Sequence, residues 1–217
     1  ILNNLLFELR KQMQITVKPF ENSFAAEIDG IDIQNGVNKQ QFKIIHEAFL
    51  KHKVLIFRNQ PLDDEAHQKF GMLFGVLDGH INKSTRHKAL PSVQVFSNVK
   101  PNGETTGVHP EKGTQVWHTD KSYTATPSLT TILRSPAIAE VGGDTLFADM
   151  TRAYDKLSNN MKTGIDNLFA VHDWVRSREK SNERPATPDE IKAAPPVKHP
   201  IAVSYTHLRA HETGRNL

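Results

Sequence analysis

The residues best suited to chemistry by type and spacing are His118 and Asp120, one residue apart in the run WHTD (117–120). On an extended backbone, residues i and i+2 project to the same side. An imidazole nitrogen and a carboxylate oxygen would then converge on one point, with Thr119 turned away. One neutral nitrogen and one hard anionic oxygen are two members of a 2-His-1-carboxylate facial triad. That donor set leaves positions open on Fe(II) for a co-substrate and O2. The carboxylate offsets part of the metal charge without blocking the opposite face. A His-x-Asp pair also arises readily by chance in a chain with 11 His, and a surface ion pair has the same appearance. Zinc-dependent hydrolysis at the pair would need a general base and further nitrogen ligands, which the surrounding residues do not supply.

The pair must be positioned by the elements around it. The alternation at 15–17 and in AAEIDGIDI (25–33, turning at Gly30) predicts strands. Asn38 is placed to cap a helix to about Lys51, burying Phe42, Ile45, Ala48 and Phe49. The apolar run VLIF (54–57) predicts a central strand buried on both sides. Asp63 or Asp64 caps a second helix, with Ala66, Phe70, Leu73 and Phe74 inward and Gly75 at its end. Strands are expected at 93–96, 129–134 and 145–148, and a long polar loop at 98–115 leads into WHTD. A third helix is expected over 151–168, with Tyr154, Leu157, Met161, Ile165 and Leu168 on one face. The charged, Pro/Ala-rich stretch 176–196 reads as a mobile excursion.

Several further motifs accompany WHTD: AEIDGIDI (26–33), HKVLIFRNQ (52–60), FG (74–75), TPSLTTILRS (126–135), GGDTLFADM (142–150) and AYDKL (153–157). In order and spacing, this set resembles the taurine and 2,4-dichlorophenoxyacetate dioxygenases over essentially 13–202. The resemblance implies a mainly β, α+β fold with flanking helices, a double-stranded β-helix (jelly roll) incomplete at the C-terminus. It implies an Fe(II)- and 2-oxoglutarate-dependent oxygenase that uses O2, hydroxylates a small anionic molecule such as a sulfonate or aryloxyalkanoate, and yields succinate and CO2. By the same resemblance His118 and Asp120 bind iron, Thr145 helps hold 2-oxoglutarate, and His80 matches a substrate-binding position, although an ordinary loop histidine fits His80 as well. The family's second His ligand and its 2-oxoglutarate-binding Arg are expected further downstream than this chain runs, so little or no activity is expected of the chain itself. His172 and His199 are read as hydrogen-bonded structural histidines, and Lys121 and Arg134 as solvated surface charge. The competing reading is a jelly-roll metal- or ligand-binding protein without turnover.

Composition bounds these readings. The chain has 217 residues, enough for one substantial domain. Lys+Arg 27 against Asp+Glu 24 leaves +3 without clustering, so no nucleic-acid partner is expected. No apolar run reaches the ~20 residues of a membrane span. Without cysteine, disulfides, thiolate zinc sites and cysteine nucleophiles are excluded. A cytoplasmic protein with a small-molecule partner is expected, and a homo-oligomer is compatible with the full-length form. Residues 1–12 read either as translated leader before Met13 or as an amphipathic helix. The run VSYTHLRAHET (203–213) resembles one reading frame of a sequencing adapter, and 203–217 are therefore expected to be non-native.

Overall fold

The structure is a computed structural model and describes residues 14–100, 102–107, 112–138 and 140–202. The leader-like segment 1–12 and the adapter-like segment 203–217 lie outside the described residues. Chain contacts gather into two units. The first contains residues up to His80 with Arg86–Gln94 and Ile132–Asp149, and the second contains Ile81–Thr85, Val95–Thr131 and Met150 onward.

The first unit is built on strands β1 (Thr16–Pro19), β2 (Ala25–Asp29) and β3 (Val54–Ile56), in that order. β1 and β2 pair antiparallel with Thr16 opposite Asp29, and β2 and β3 pair parallel with Ala25 opposite Val54. The chain leaves β2 through Gly30, at φ +75°. A Cβ there would lie 2.3 Å from the Gln14 carbonyl oxygen, so only glycine permits this turn. Helix α1 (Lys39–His52) connects β2 to β3. It begins at a capping box in which Asn38 accepts from the Gln41 N–H and the Gln41 side chain accepts from the Asn38 N–H. Helix α2 (Asp64–Met72) is capped by Asp63, whose carboxylate accepts from the Ala66 N–H. That hydrogen bond, with a second from Gln34, holds the Asp63 carboxyl below its ordinary pKa.

Ile28, Ile33, Ile45, Ala48 and Phe70 form the buried core. Phe74 meets Phe42 and Phe70 edge-on, with ring centroids 5.1 and 5.6 Å apart, a favourable aromatic arrangement. The expected inner face of α1 is thus half right: Ile45 and Ala48 are buried, whereas Phe42 and Phe49 are half-buried. β3 is not central. It pairs only with β2 among the described residues and is half-buried along its length.

The second unit contains α3 (Met150–Asp155), α4 (Asn159–Ile165), β4 (Phe169–His172), α5 (Trp174–Lys180), α6 (Pro188–Ala193) and β5 (Val197–Pro200). The single helix expected over 151–168 is two helices. Ser158 takes an extended conformation (φ −62°, ψ 156°) and caps α4 through its hydroxyl, an alternative to continuing the helix that serine readily offers. The stretch 176–196 is ordered helix and turn. Glu190 is buried, caps α6 in a box with Thr187, and takes two hydrogen bonds from Arg184. Arg184 also donates to Asn82 Oδ1 at 3.1 Å. Arg178 lies 5.1 Å over the Trp174 ring and pairs with Glu183 at 2.8 Å. A charged composition concealed a folded segment because the charges that become buried, Arg178 and Glu190, are paired with Glu183 and Arg184.

The strands expected at 93–96, 129–134 and 145–148 do not form. The first contributes one isolated bridge, Arg86 to Gln94, and the other two have no strand partner among the described residues. Their alternation is real, but without a neighbour to complete the ladder the apolar side chains of Leu129, Leu133, Leu146 and Phe147 stay exposed. The described residues thus contain a three-stranded and a two-stranded sheet with helices around them. No helix among them is long and apolar enough to cross a membrane.

Candidate metal and co-substrate site

His118 and Asp120 lie in the second unit, in irregular backbone that turns at Asp120. The pair lies in no strand, and the chain turns immediately after it. His118 Nε2 and Asp120 Oδ1 stand 3.3 Å apart, with side chains 41% and 46% exposed.

Each side chain is held by its other polar atom. His118 Nδ1 lies 2.8 Å from the Val116 carbonyl oxygen. A carbonyl only accepts, so Nδ1 carries the proton and the lone pair of the neutral ring is on Nε2. Asp120 Oδ2 accepts from the Thr131 hydroxyl at 2.6 Å, which leaves Oδ1 facing Nε2. With the ring neutral, the two facing lone pairs repel unless a cation, or a proton on Nε2, lies between them. With bonds of about 2.1 Å, a separation of 3.3 Å subtends roughly 100° at the ion, close to two adjacent corners of an octahedron. The pair therefore suits a divalent cation that accepts mixed nitrogen and oxygen ligands. Among the described residues no third His, Asp or Glu joins it.

Thr131 and the Val116 carbonyl were not singled out in the sequence. A backbone carbonyl has no letter of its own. Thr131 lies 11 residues from Asp120 in an expected strand, where a threonine looks ordinary.

Thr145 belongs to the other unit, exposed and in neither helix nor strand. His80 also belongs to that unit. It is half-buried, and its carbonyl accepts from Arg86 Nε at 2.6 Å. His199 stands as a hydrogen-bonded structural histidine, and His172 meets it through a ring contact. Their rings meet edge-on at 5.1 Å, and His199 Nε2 lies 3.0 Å from two backbone carbonyls, those of Ser122 and Thr124. Arg134 departs from expectation: it is largely buried, donating to the Leu62 carbonyl and pairing with Asp64 at the start of α2. Lys121, expected to be solvated, is half-buried in left-handed backbone at φ 54°.

Comparison with known proteins bears on what this pair serves. The sequence profile of the taurine catabolism dioxygenase TauD, TfdA family matches residues 16–216, through the stretch 203–216 read above as adapter-like. An alpha-ketoglutarate-dependent 2,4-dichlorophenoxyacetate dioxygenase from Cupriavidus pinatubonensis is 26% identical over 197 residues, covering 87% of this chain and 69% of that protein. An alpha-ketoglutarate-dependent sulfate ester dioxygenase from Pseudomonas putida is 29% identical over 161 residues, covering 74% and 50%. The crystal structure of a taurine dioxygenase from Burkholderia xenovorans superposes with a TM-score of 0.65 at 28% identity, covering 86% of this chain and 57% of that one. The chain thus spans about half to two thirds of the length of these proteins.

Proposed function

Because this chain belongs to the taurine catabolism dioxygenase TauD, TfdA family, we propose that it is the part of an Fe(II)- and 2-oxoglutarate-dependent dioxygenase that supplies two iron ligands, His118 and Asp120. The observation that carries the proposal is the facing of His118 Nε2 and Asp120 Oδ1 at 3.3 Å, each fixed from behind by a separate hydrogen bond. The chemistry such a centre supplies is oxidation of a substrate C–H bond to C–OH by O2, coupled to conversion of 2-oxoglutarate into succinate and CO2.

The chain's own residues present and orient. The Val116 carbonyl fixes the imidazole in the tautomer that offers Nε2. Thr131 holds one carboxylate oxygen so that the other is offered alone, and the carboxylate cancels one of the two metal charges. Thr145 is assigned to hold 2-oxoglutarate and His80 to contact the substrate. The fold proposed for the whole protein is the double-stranded β-helix of the family. The substrate class is a small organic anion of sulfonate, sulfate ester or aryloxyalkanoate type, as the names of the relatives indicate.

The test is Mn(II), a stand-in with the same ligand preferences, titrated while free Mn(II) is followed by electron paramagnetic resonance. Binding should weaken by 10-fold or more in both H118A and D120A, and 2-oxoglutarate should tighten it in the wild type but not in D120A. Mn(II) binding indifferent to both substitutions would overturn the assignment.

A further inference from the structure

The chain beyond Asp120 is bent through a residue in left-handed backbone. Lys121 has a φ of 54°, a left-handed conformation that costs a side chain with a Cβ roughly 1–2 kcal/mol. Inside the turn, the Ser122 N–H reaches the Thr119 carbonyl at 3.3 Å, and the Thr124 N–H reaches the Lys121 carbonyl at 3.0 Å. The bond at 3.3 Å is long for N–H to O, and the Thr124 hydroxyl adds a second bond to the Lys121 carbonyl at 2.8 Å, so local contacts hold the far side of the turn more firmly than the side at Thr119.

Two contacts from outside the turn hold it. His199 Nε2 lies 3.0 Å from the Ser122 carbonyl and 3.0 Å from the Thr124 carbonyl. Both oxygens only accept, so Nε2 carries the proton and shares it between them. Tyr123, between those carbonyls, packs on Trp174 with ring centroids 4.6 Å apart. His199 is itself fixed in β5 opposite Ala170 of β4, with the His172 ring edge-on to it at 5.1 Å. A regular ladder thus reaches 77 residues back along the sequence to clamp the turn that starts at Asp120.

We propose that His199 is a positioning residue for Asp120: by tethering the carbonyls of Ser122 and Thr124 it keeps Lys121 left-handed and the carboxylate aimed at His118 Nε2. The proposal rests on the reading of His118 and Asp120 as metal ligands. Without the tether Lys121 relaxes, and Asp120, one residue before it, rotates away from its partner. Groups that orient ligands in this way change metal affinity by about 10–100-fold when removed.

The test uses the whole chain and Mn(II) as the probe, with thermal unfolding measured on every variant. H199F, which keeps a ring but no donor, should bind Mn(II) about 10-fold more weakly. H199Q, whose amide N–H can still reach a carbonyl, should recover most of that loss. V197A loosens β5 without touching the turn, and should lower the melting temperature while leaving Mn(II) affinity at the wild-type value. Wild-type affinity in H199F, with affinity lost in H118A, would overturn the tether and leave the metal site standing. Equal losses in V197A and H199F would also overturn it, reducing His199 to general support. Binding that H118A does not change would remove the metal site and the proposal together. If H199F does not fold, H199N and H199Q carry the same contrast, the shorter amide being expected to bind more weakly.

Discussion

Thr131 governs how sharply Asp120 is presented. Its hydroxyl is the donor to Oδ2 at 2.6 Å, and a carboxylate relieved of that bond can rotate or offer both oxygens at once. T131V preserves shape and removes the donor, so it should weaken Mn(II) binding by about 10-fold. Its melting temperature should stay close to wild type, because Asp120 is half-exposed and water replaces the lost bond. Unchanged affinity in a Mn(II) titration would count against this role. At this scale the sequence pointed to the proposed ligand pair and was silent about its supports. His-x-Asp is a pattern of side chains and can be read directly. The Val116 carbonyl, the Thr131 hydroxyl and the His199 tether depend on where the backbone turns, and spacing does not encode that. His199 was recognised as structural, but the turn it holds was not foreseeable.

Elements that are locally self-sufficient were the most legible. The boundaries of α1 followed from Asn38 and from the spacing of Ile45 and Ala48, because a capping box and a 3.6-residue period are written within a few residues. N38A should therefore cost about 1 kcal/mol, and I45A, at a position with no exposure, about 2–5 kcal/mol, both measurable by urea unfolding. The strands at 129–134 and 145–148 were misread because a strand needs a partner, and alternation does not guarantee one.

The stretch 176–196 was misread for the opposite reason. Its charges satisfy one another, as at Glu190, whose carboxyl is lowered to about 2 chiefly by Arg184, against the cost of burial. Its folded pKa lies below the unfolded value near 4.5. The pair therefore stabilises fully above that value, and the contribution disappears as pH falls from about 5 toward 2. With Arg184 exposed to solvent, the contribution should be about 2 kcal/mol. Unfolding followed against pH should show a shallower acid decline in E190Q than in wild type. Parallel declines would show that Glu190 does not couple to folding.

Across the whole molecule, many large apolar side chains remain on the surface, among them Trp117, Leu129, Leu133, Leu146, Phe147 and Phe169, each more than half exposed. Side chains of this kind seldom stay in water in such numbers without a covering partner or a tendency to associate. The 217-residue chain should self-associate on light scattering and bind a hydrophobic dye. A monodisperse solution with a single cooperative melt would contradict this. The family and its chemistry were legible from motifs spread over most of the chain, because each motif carries its own residues. Which segments pair as β-strands was less so, since that depends on pairings distant in sequence.

The most direct test of the central claim, that His118 and Asp120 together hold a divalent cation, is a long-range 1H–15N spectrum of the histidine side chains recorded while Mn(II) is added below stoichiometry. The His118 resonance, identified by its loss in H118Q, should show the Nδ1–H tautomer. It should broaden before the other ten histidines and be protected from broadening in D120A. A spectrum in which His118 is the Nε2–H tautomer, or in which other histidines broaden first, would contradict the assignment.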